Sequence, residues 1–477
     1  MNRRDLLRAG CLSLASALSA SAAQPLPNII LVLADNLGYG DLGCYGSTNH
    51  CTPNLDRMAR EGAKLTSFYV SSGVCTPSRA SIMTGCYPRR IGLHLTDPDG
   101  FVLRPVSPNG LNPDEVTVAE VLKDRGYSTG IVGKWHLGDQ LPFLPTRQGF
   151  DYFFGVPYSE DMVGGKGLGE KAAPWPPLPL MENERVVEAP VDRSLLTKRY
   201  TEKAVEFITQ NQRRPFFLYL AQAMPGSTAS AFASERFRGK SANGPYGDSV
   251  EELDWSQGEI LSALKRLNLD EQTLVIWTSD NGAVRRDPVQ GSNLPLGGWG
   301  YTTAEGGQRV PCIARWPGKI PTRRVSDALL TSMDLLPTFA RLAGTSVPKG
   351  RLIDGRDIWP VISGRSNQSP HEAFYYYYGP QLQAVRSGPW KLYLPIEKRW
   401  TSLNAETAQG ELALYDVVKD AGETTNLAGG NPKVVRRLTA LAEKARADLG
   451  DVDRPGRGQR PVGRFENSVP RVIGMQP

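Results

Sequence analysis

The sequence predicts an α/β protein: a large, mostly parallel mixed sheet sandwiched by helices, followed by a smaller C-terminal antiparallel sheet plus helix. Three observations predict it. Four apolar, β-rich runs give way to polar residues at their carboxyl ends, as strands buried on both faces of a parallel sheet do. Segments with apolar residues at helical spacing lie between them. Beyond residue 363, short strand-like runs succeed one another, which suggests a separate antiparallel sheet.

The elements follow in order. Asn28 to Ala34 is the first run, ending in Asp35-Asn36 with Gly38 just behind. Near Cys75, Thr76 is a good helix N-cap and Pro77 suits the first helical position, so a short helix is expected from there to Gly85. Thr117 to Arg125 reads as helix. Ser128 to Val132 is a strand leading into Gly133-Lys134-Trp135-His136. Gly164 to Pro179, rich in Gly and Pro, reads as a surface loop. Ser194 to Asn211 is helical, with Leu196, Tyr200, Phe207 and Ile208 on one side. Pro215 to Leu220 is a strand ending near Ala221-Gln222. Val250 to Leu267 is the clearest helix, and Thr273 to Thr278 is a strand ending in Asp280-Asn281-Gly282. Gly350 to Ser363 is a transition. Phe374–Tyr378, Gln383–Arg386, Trp390–Leu394 and Leu412–Tyr415 form the small sheet, and Pro432–Leu449 is a closing helix. The division expected is a targeting segment at 1–23, a main domain at 24–363, an α+β subdomain at 364–450 and an Arg/Gly/Pro-rich tail at 451–477. In that tail, Arg454, Arg457, Arg460, Arg464 and Arg471 are expected to form a solvated cover.

The chain has 477 residues, 40% hydrophobic and 22% charged, enough for a large core. Its net charge is +6, and the first 23 residues hold Arg3, Arg4 and Arg8 against Asp5, so the remainder carries +4. That balance is too mild for a nucleic-acid partner but tolerates an anionic substrate. Arg3-Arg4 precede an apolar run from Cys11 to Ala22, and Ser21-Ala22-Ala23 supply small residues for cleavage. This twin-arginine-like signal predicts export to the periplasm or medium, and no later run is long enough for a transmembrane segment. With Cys11 removed and Cys75 set aside, Cys44, Cys51, Cys86 and Cys312 remain, their pairing open.

The chemistry gathers at strand ends, where ligands collect in such sheets. Asp35-Asn36 and Asp280-Asn281 offer carboxylates and amide carbonyls, hard oxygen ligands that match calcium or magnesium better than zinc. Asp-Asn before Gly is also ordinary turn chemistry, but two such pairs beside a cysteine argue for more. Cys75 is placed ahead of a helix N-terminus, an anion-favouring position that suits a reactive thiol. Lys134 and His136 stand two apart after a strand, so alternation puts them on one side, and His136 is the best candidate for a general base.

These residues resemble the type I, formylglycine-dependent sulfatases of the alkaline phosphatase superfamily. The resemblance runs from about Asn28 to Leu427. It rests on Leu33-Ala34-Asp35, Leu37-Gly38-Tyr39-Gly40-Asp41, Thr52-Pro53-Asn54-Leu55-Asp56, Cys75-Thr76-Pro77-Ser78-Arg79 with Thr84-Gly85, Gly133-Lys134-Trp135-His136-Leu137-Gly138 and Thr278-Ser279-Asp280-Asn281-Gly282. It implies an alkaline phosphatase-like sheet and a Cys75 oxidised to formylglycine by a separate formylglycine-generating enzyme. One hydroxyl of the hydrated aldehyde then attacks sulfur, the alcohol leaves, and a base releases sulfate by reforming the aldehyde. His136 takes the role of base, and Arg79 and Lys134 hold the hydrate and stabilise its charge. Asp35, Asn36, Asp280, Asn281 and the modified Cys75 hold one calcium ion, with magnesium or manganese as alternatives.

The chain departs from the family at three places. Asn36 stands where many members have a second Asp, Gly226 where many have His, and Gly300 where many have Lys. Asn36 removes a negative charge and Gly300 a positive one, so the two changes are expected to compensate and to couple in a double-mutant cycle. Trp299 and Tyr301 are candidates to contact a ring of the substrate, and Tyr375–Tyr378 is read as a strand with alternating burial or a sugar-stacking platform. The leading reading is an exported sulfatase acting on aryl or carbohydrate sulfate esters. The alternatives are a phosphonate or phosphodiester hydrolase of the same superfamily, and a weakly catalytic sulfated-glycan-binding protein.

Overall fold

In the computed structural model, which describes residues 26–95, 100–164, 175–228, 230–397 and 410–474, strand Asn28–Asp35 is the axis of the main sheet. All eight of its residues are buried. Ile29, Leu31 and Leu33 enter the core on one face, and Ile30, Val32 and Ala34 the core on the other. Burial on both faces is why the run reads as continuously apolar. The strand pairs in parallel with Phe216–Pro225 on one side and Thr273–Ser279 on the other. Ser128–Gly133 and Tyr152–Gly155 extend the parallel block. Arg309–Arg315 lies antiparallel to Thr273–Ser279, and Ala63–Tyr69 antiparallel to Arg309–Arg315. With its edges, the described sheet has eleven strands. All four predicted apolar strands are present.

Helices Cys75–Thr84, Val118–Lys123 and Leu335–Leu342 cover one face, and Pro53–Glu61, Leu196–Gln210 and Gly244–Arg266 the other. Thr117 caps its helix as a capping box with Glu120. The long helix begins at Gly244 rather than Val250. Its first turn carries Pro245, which is preset for a helix start but adds nothing to an apolar stripe.

The helix at Cys75 corrects the sequence reading. Cys75 is its first residue and Val74 its N-cap, so Thr76 does not cap it and Pro77 is third. The Thr76 hydroxyl instead donates to the His136 carbonyl at 3.0 Å and accepts from the Leu103 N–H at 3.2 Å. Gly85 ends the helix in the left-handed region as expected, at φ 68°.

Strands Phe374–Tyr378, Gln381–Ser387, Trp390–Tyr393 and Ala413–Asp416 form the second, antiparallel sheet in sequence order. Helix Pro432–Leu449 packs on it through Leu438, Leu441, Ala442 and Ala445. Tyr376, Tyr377 and Tyr378 are all buried and Tyr376 donates to Glu305 at 2.7 Å, so this run neither alternates nor offers a stacking platform. The tail is also no solvated cover throughout. Gly463–Arg464 pairs with Asn109–Gly110, Arg460 grips Glu115 through two hydrogen bonds, and the buried Arg471 donates to the Asp139 carbonyl. Cys44, Cys51, Cys75, Cys86 and Cys312 are free thiols. The targeting segment at 1–23 and most of the Gly164–Pro179 loop lie outside the described residues. No described helix is long and apolar enough to cross a membrane.

Candidate active site

The site forms at the carboxyl ends of the central strands. Asp35 is the last residue of its strand, and Asp280 and Asn281 follow Ser279 directly on the neighbouring one. Adjacent parallel strands therefore bring the two Asp-Asn pairs together. The Asn36 N–H donates to Asp280 Oδ1 at 3.0 Å, and Asn281 Nδ2 to Asn36 Oδ1 at 2.5 Å. Asn36 turns the chain at φ 59°, a conformation Asn tolerates better than most residues.

Cys75 faces this junction, its Sγ 4.0 Å from Asp35 Oδ1 and 3.9 Å from Asn36 Oδ1. Asp35, Cys75 and Asp280 each present a ligand atom within 4.8 Å of the others. Arg79 lies one helical turn further, on the same face. Its Nε donates to Asp280 Oδ2 and its Nη2 to Asp35 Oδ2, both at 2.9 Å, and its Nη1 to the Lys134 carbonyl at 2.7 Å. The Lys134 ammonium pairs with Asp35 and donates to Ser159 Oγ at 2.9 Å. These charged side chains are wholly buried. Burial alone would lower the pKa of Lys134, but the Asp35 carboxylate above all, with Glu160 behind it, outweighs that and holds the ammonium charged.

Two expectations about this cluster are corrected. Lys134 and His136 do not alternate along a strand, because the strand ends at Gly133 and His136 adopts φ 60°. The thiol does not sit in an anion-favouring place: burial, then Asp35, push its pKa well up. Desolvation and two carboxylates outweigh one short helix's dipole, so the unmodified Cys75 is a poor nucleophile.

His136 is nevertheless suited to act as a base. Its Nε2 lies 2.9 Å from the Leu103 carbonyl, which assigns the proton to Nε2 and the lone pair to Nδ1. Nδ1 is buried without a hydrogen-bond partner among the described residues. Burial, then Lys134 and Arg79, hold its pKa well below the usual range, so the ring is neutral.

Sequence reasoning missed Ser159, Glu160 and Ser227. Glu160 Oε1 accepts from the Ser227 N–H at 2.7 Å, and Ser227 Oγ accepts from Asn36 Nδ2 at 2.9 Å. Tyr301 joins them, its hydroxyl 3.1 Å from Ser227 Oγ. The only signal was position, in loops beyond strands Tyr152–Gly155 and Phe216–Pro225 at the same sheet edge. Trp299 is half-buried nearby in sequence, and its carbonyl accepts from Thr302.

The expected compensation between Asn36 and Gly300 loses its basis. A Cβ on Gly300 would overlap the Gly282 carbonyl oxygen, so a lysine there needs a backbone shift. Asn36 Nδ2 donates to Asp35 Oδ1 at 2.7 Å, where an aspartate would meet like charge. Each residue is fixed by its own neighbours rather than by the other.

The donor set fits a hard divalent cation. Asn281 Oδ1 is buried with no partner among the described residues, its amide meets the Asn36 side-chain oxygen through Nδ2, and the Asp35 and Asp280 carboxylates lie within reach of one another. All four are oxygen donors of the kind calcium and magnesium take.

Comparison with known proteins bears on the same span. The Sulfatase family model matches residues 27–345, and that of the N-sulphoglucosamine sulphohydrolase C-terminal region matches 302–448. Human arylsulfatase A is 41% identical, covering 90% of this chain and 89% of its own. Mouse steryl-sulfatase is 38% identical, covering 90% and 83%. A solved sulfatase from Pseudoalteromonas sp. superposes with a TM-score of 0.76 at 27% identity, over 88% of this chain and 91% of that one. The matched span contains the whole cluster from Asp35 to Asn281, and on these grounds the chain belongs to the sulfatase family of sulfuric ester hydrolases.

Proposed function

We propose that this sulfuric ester hydrolase cleaves aryl or carbohydrate sulfate esters through a formylglycine made from Cys75, beside one divalent cation, calcium in the first instance. The observation that carries the reading is the convergence of Cys75, Asp35 and Asp280 within 4.8 Å, enclosed by Arg79 and Lys134. Asp35, Asn36, Asp280, Asn281 and the modified Cys75 would hold the cation. The hydrated aldehyde supplies a hydroxyl nucleophile toward sulfur, and the cation supplies Lewis acidity at a sulfate oxygen.

The chain's own residues do the rest. Arg79 fixes both carboxylates and, through the Lys134 carbonyl, the loop that carries the ammonium. Lys134 places a positive charge beside Asp35 and Cys75, where negative charge develops. His136 Nδ1, neutral and without a hydrogen-bond partner among the described residues, takes a proton there. Two carboxylates against an ammonium, a guanidinium and a divalent ion leave a formal excess of positive charge, which suits an anionic ester. Cys75 is only 3% exposed, so a formylglycine-generating enzyme would have to reach it before the fold closes. Arg3-Arg4 and the following apolar run support export.

Mass spectrometry of the tryptic peptide 65–79 tests the reading. After co-expression with a maturing enzyme, the aldehyde is expected, with turnover proportional to the converted fraction. Full turnover from a preparation holding only the thiol overturns it. Chromogenic sulfate esters are expected to be turned over in preference to phosphodiesters. A second prediction concerns the cation: chelation abolishes turnover and lowers the thermal midpoint, and calcium restores both. At a hundredfold excess over Kd the ion adds about 2.7 kcal/mol of stability. Turnover and midpoint unchanged after exhaustive chelation would remove the cation from the proposal.

A further inference from the structure

Glu160 is the buried titratable group beside the site that the reaction above does not use. It is wholly buried, and both carboxyl oxygens accept hydrogen bonds. Oε1 takes the Ser227 N–H at 2.7 Å, and Oε2 takes the Ser159 hydroxyl at 3.0 Å. Each partner leads to the active site. Ser159 Oγ accepts from Lys134 Nζ at 2.9 Å, and that ammonium also lies 3.8 Å from Glu160 Oε2. Ser227 Oγ accepts from Asn36 Nδ2 at 2.9 Å. One carboxylate therefore bridges the Lys134 ammonium and the turn that holds Asn36. Its backbone is fixed as well, because Arg193 Nη1 donates to the Glu160 carbonyl at 3.2 Å.

Gly226 belongs to the same arrangement. A Cβ at this position would overlap Glu160 Oε1, and the residue adopts φ 75°. Only glycine leaves room for the carboxylate and takes that conformation without strain. An isolated buried carboxylate is costly, so one kept with both oxygens engaged and a lysine beside it is a built feature. Asp35 and Ser159 occupy two of the three hydrogens of the Lys134 ammonium, which fixes its direction.

We propose that Glu160, with the space left by Gly226, is a positioning residue of this sulfatase: it orients the Lys134 ammonium through Ser159 and the Asn36 side chain through Ser227. The proposal rests on the placement of Lys134 and Asn36 in the active site made above. Because both oxygens accept, the working form is the carboxylate. Lys134 faces it from beyond strand Ser128–Gly133, Asp35 from the central strand, Asp161 from the next residue, and Arg193 at its carbonyl. Burial raises its pKa to about 7, Lys134 opposing and Asp161 and Asp35 adding, so protonation enters as pH falls through neutrality.

The test uses the matured, calcium-loaded enzyme. Glu160→Gln keeps the size and removes the charge. It is expected to lower kcat about ten- to a hundredfold, the usual cost of losing a group that orients a site residue. KM is expected to stay within about threefold of the parent, and the acid limb of the kcat/KM profile near pH 7 to flatten. Gly226→Ala, which presses on Oε1, is expected to lower kcat in the parent but much less in a Glu160→Ala background. This cycle also serves if Glu160→Gln folds poorly. Lys134→Ala separates the two levels of the argument. If it abolishes turnover while Glu160→Gln keeps the parent kcat and pH profile and the cycle is additive, the proposal is overturned and the site assignment stands. If Lys134→Ala is itself neutral, the site assignment fails and the proposal with it.

Discussion

Cys75→Ala is expected to abolish turnover and leave the fold intact. A nucleophile acting with a base and fixed charges behaves as a unit, and its loss costs on the order of 10⁴-fold or more in kcat. The loss is specific to chemistry because the thiol contributes little to stability. Its nearest polar contacts are 3.9 and 4.0 Å away, and its burial is only that of a small side chain. Deleting one sulfur from a packed position costs about 1 kcal/mol. Chromogenic sulfate turnover and urea denaturation, measured on one preparation, separate the two effects. Turnover within tenfold of the parent would move the nucleophile elsewhere.

Arg79→Met is expected to have the largest effect on stability. The Arg79 guanidinium is fully buried and donates to Asp35, Asp280 and the Lys134 carbonyl. Burial alone would lower its pKa, but Asp280, then Tyr219 and Asp35, outweigh that and hold it charged. Its removal leaves Asp35 paired with Lys134 and deprives the buried Asp280 of the guanidinium it pairs with. Breaking such a buried pair by deleting one partner costs about 3–5 kcal/mol. The variant should also depend more on calcium than the parent does, since a cation at Asp35 and Asp280 replaces part of the lost charge. Urea midpoints with and without calcium read both effects. Arg79→Lys should rescue poorly, because an ammonium cannot reproduce the three-way fork. An unchanged midpoint in Arg79→Met would show that the cluster does not need its central cation.

Asp35, Asp280 and Lys134, which sequence alone revealed, share a property: each sits where a strand ends. Asp35 and Asp280 close apolar runs, and Lys134 follows one, so chain position placed them before any contact was known. Thr76 was misread because capping preference is local, whereas its hydroxyl serves the distant His136 and Leu103. Glu160 left no trace, since a Ser-Glu-Asp stretch resembles any polar loop and only burial against Gly226 distinguishes it. The Cys75 thiol was misjudged for the opposite reason. A helix end is visible in sequence, but the desolvation that opposes it comes from elements far along the chain. The Asn36 and Gly300 substitutions looked like a pair because charge can be counted from letters, while the backbone that fixes Gly300 cannot.

The pairing of Gly463–Arg464 with Asn109–Gly110 ties the segment beyond helix Pro432–Leu449 to the stretch that follows Leu103, whose carbonyl sets the His136 tautomer. A cut in the chain between residues 450 and 463 is therefore expected to loosen the surroundings of the proposed base His136 from far along the sequence, however well the main sheet holds.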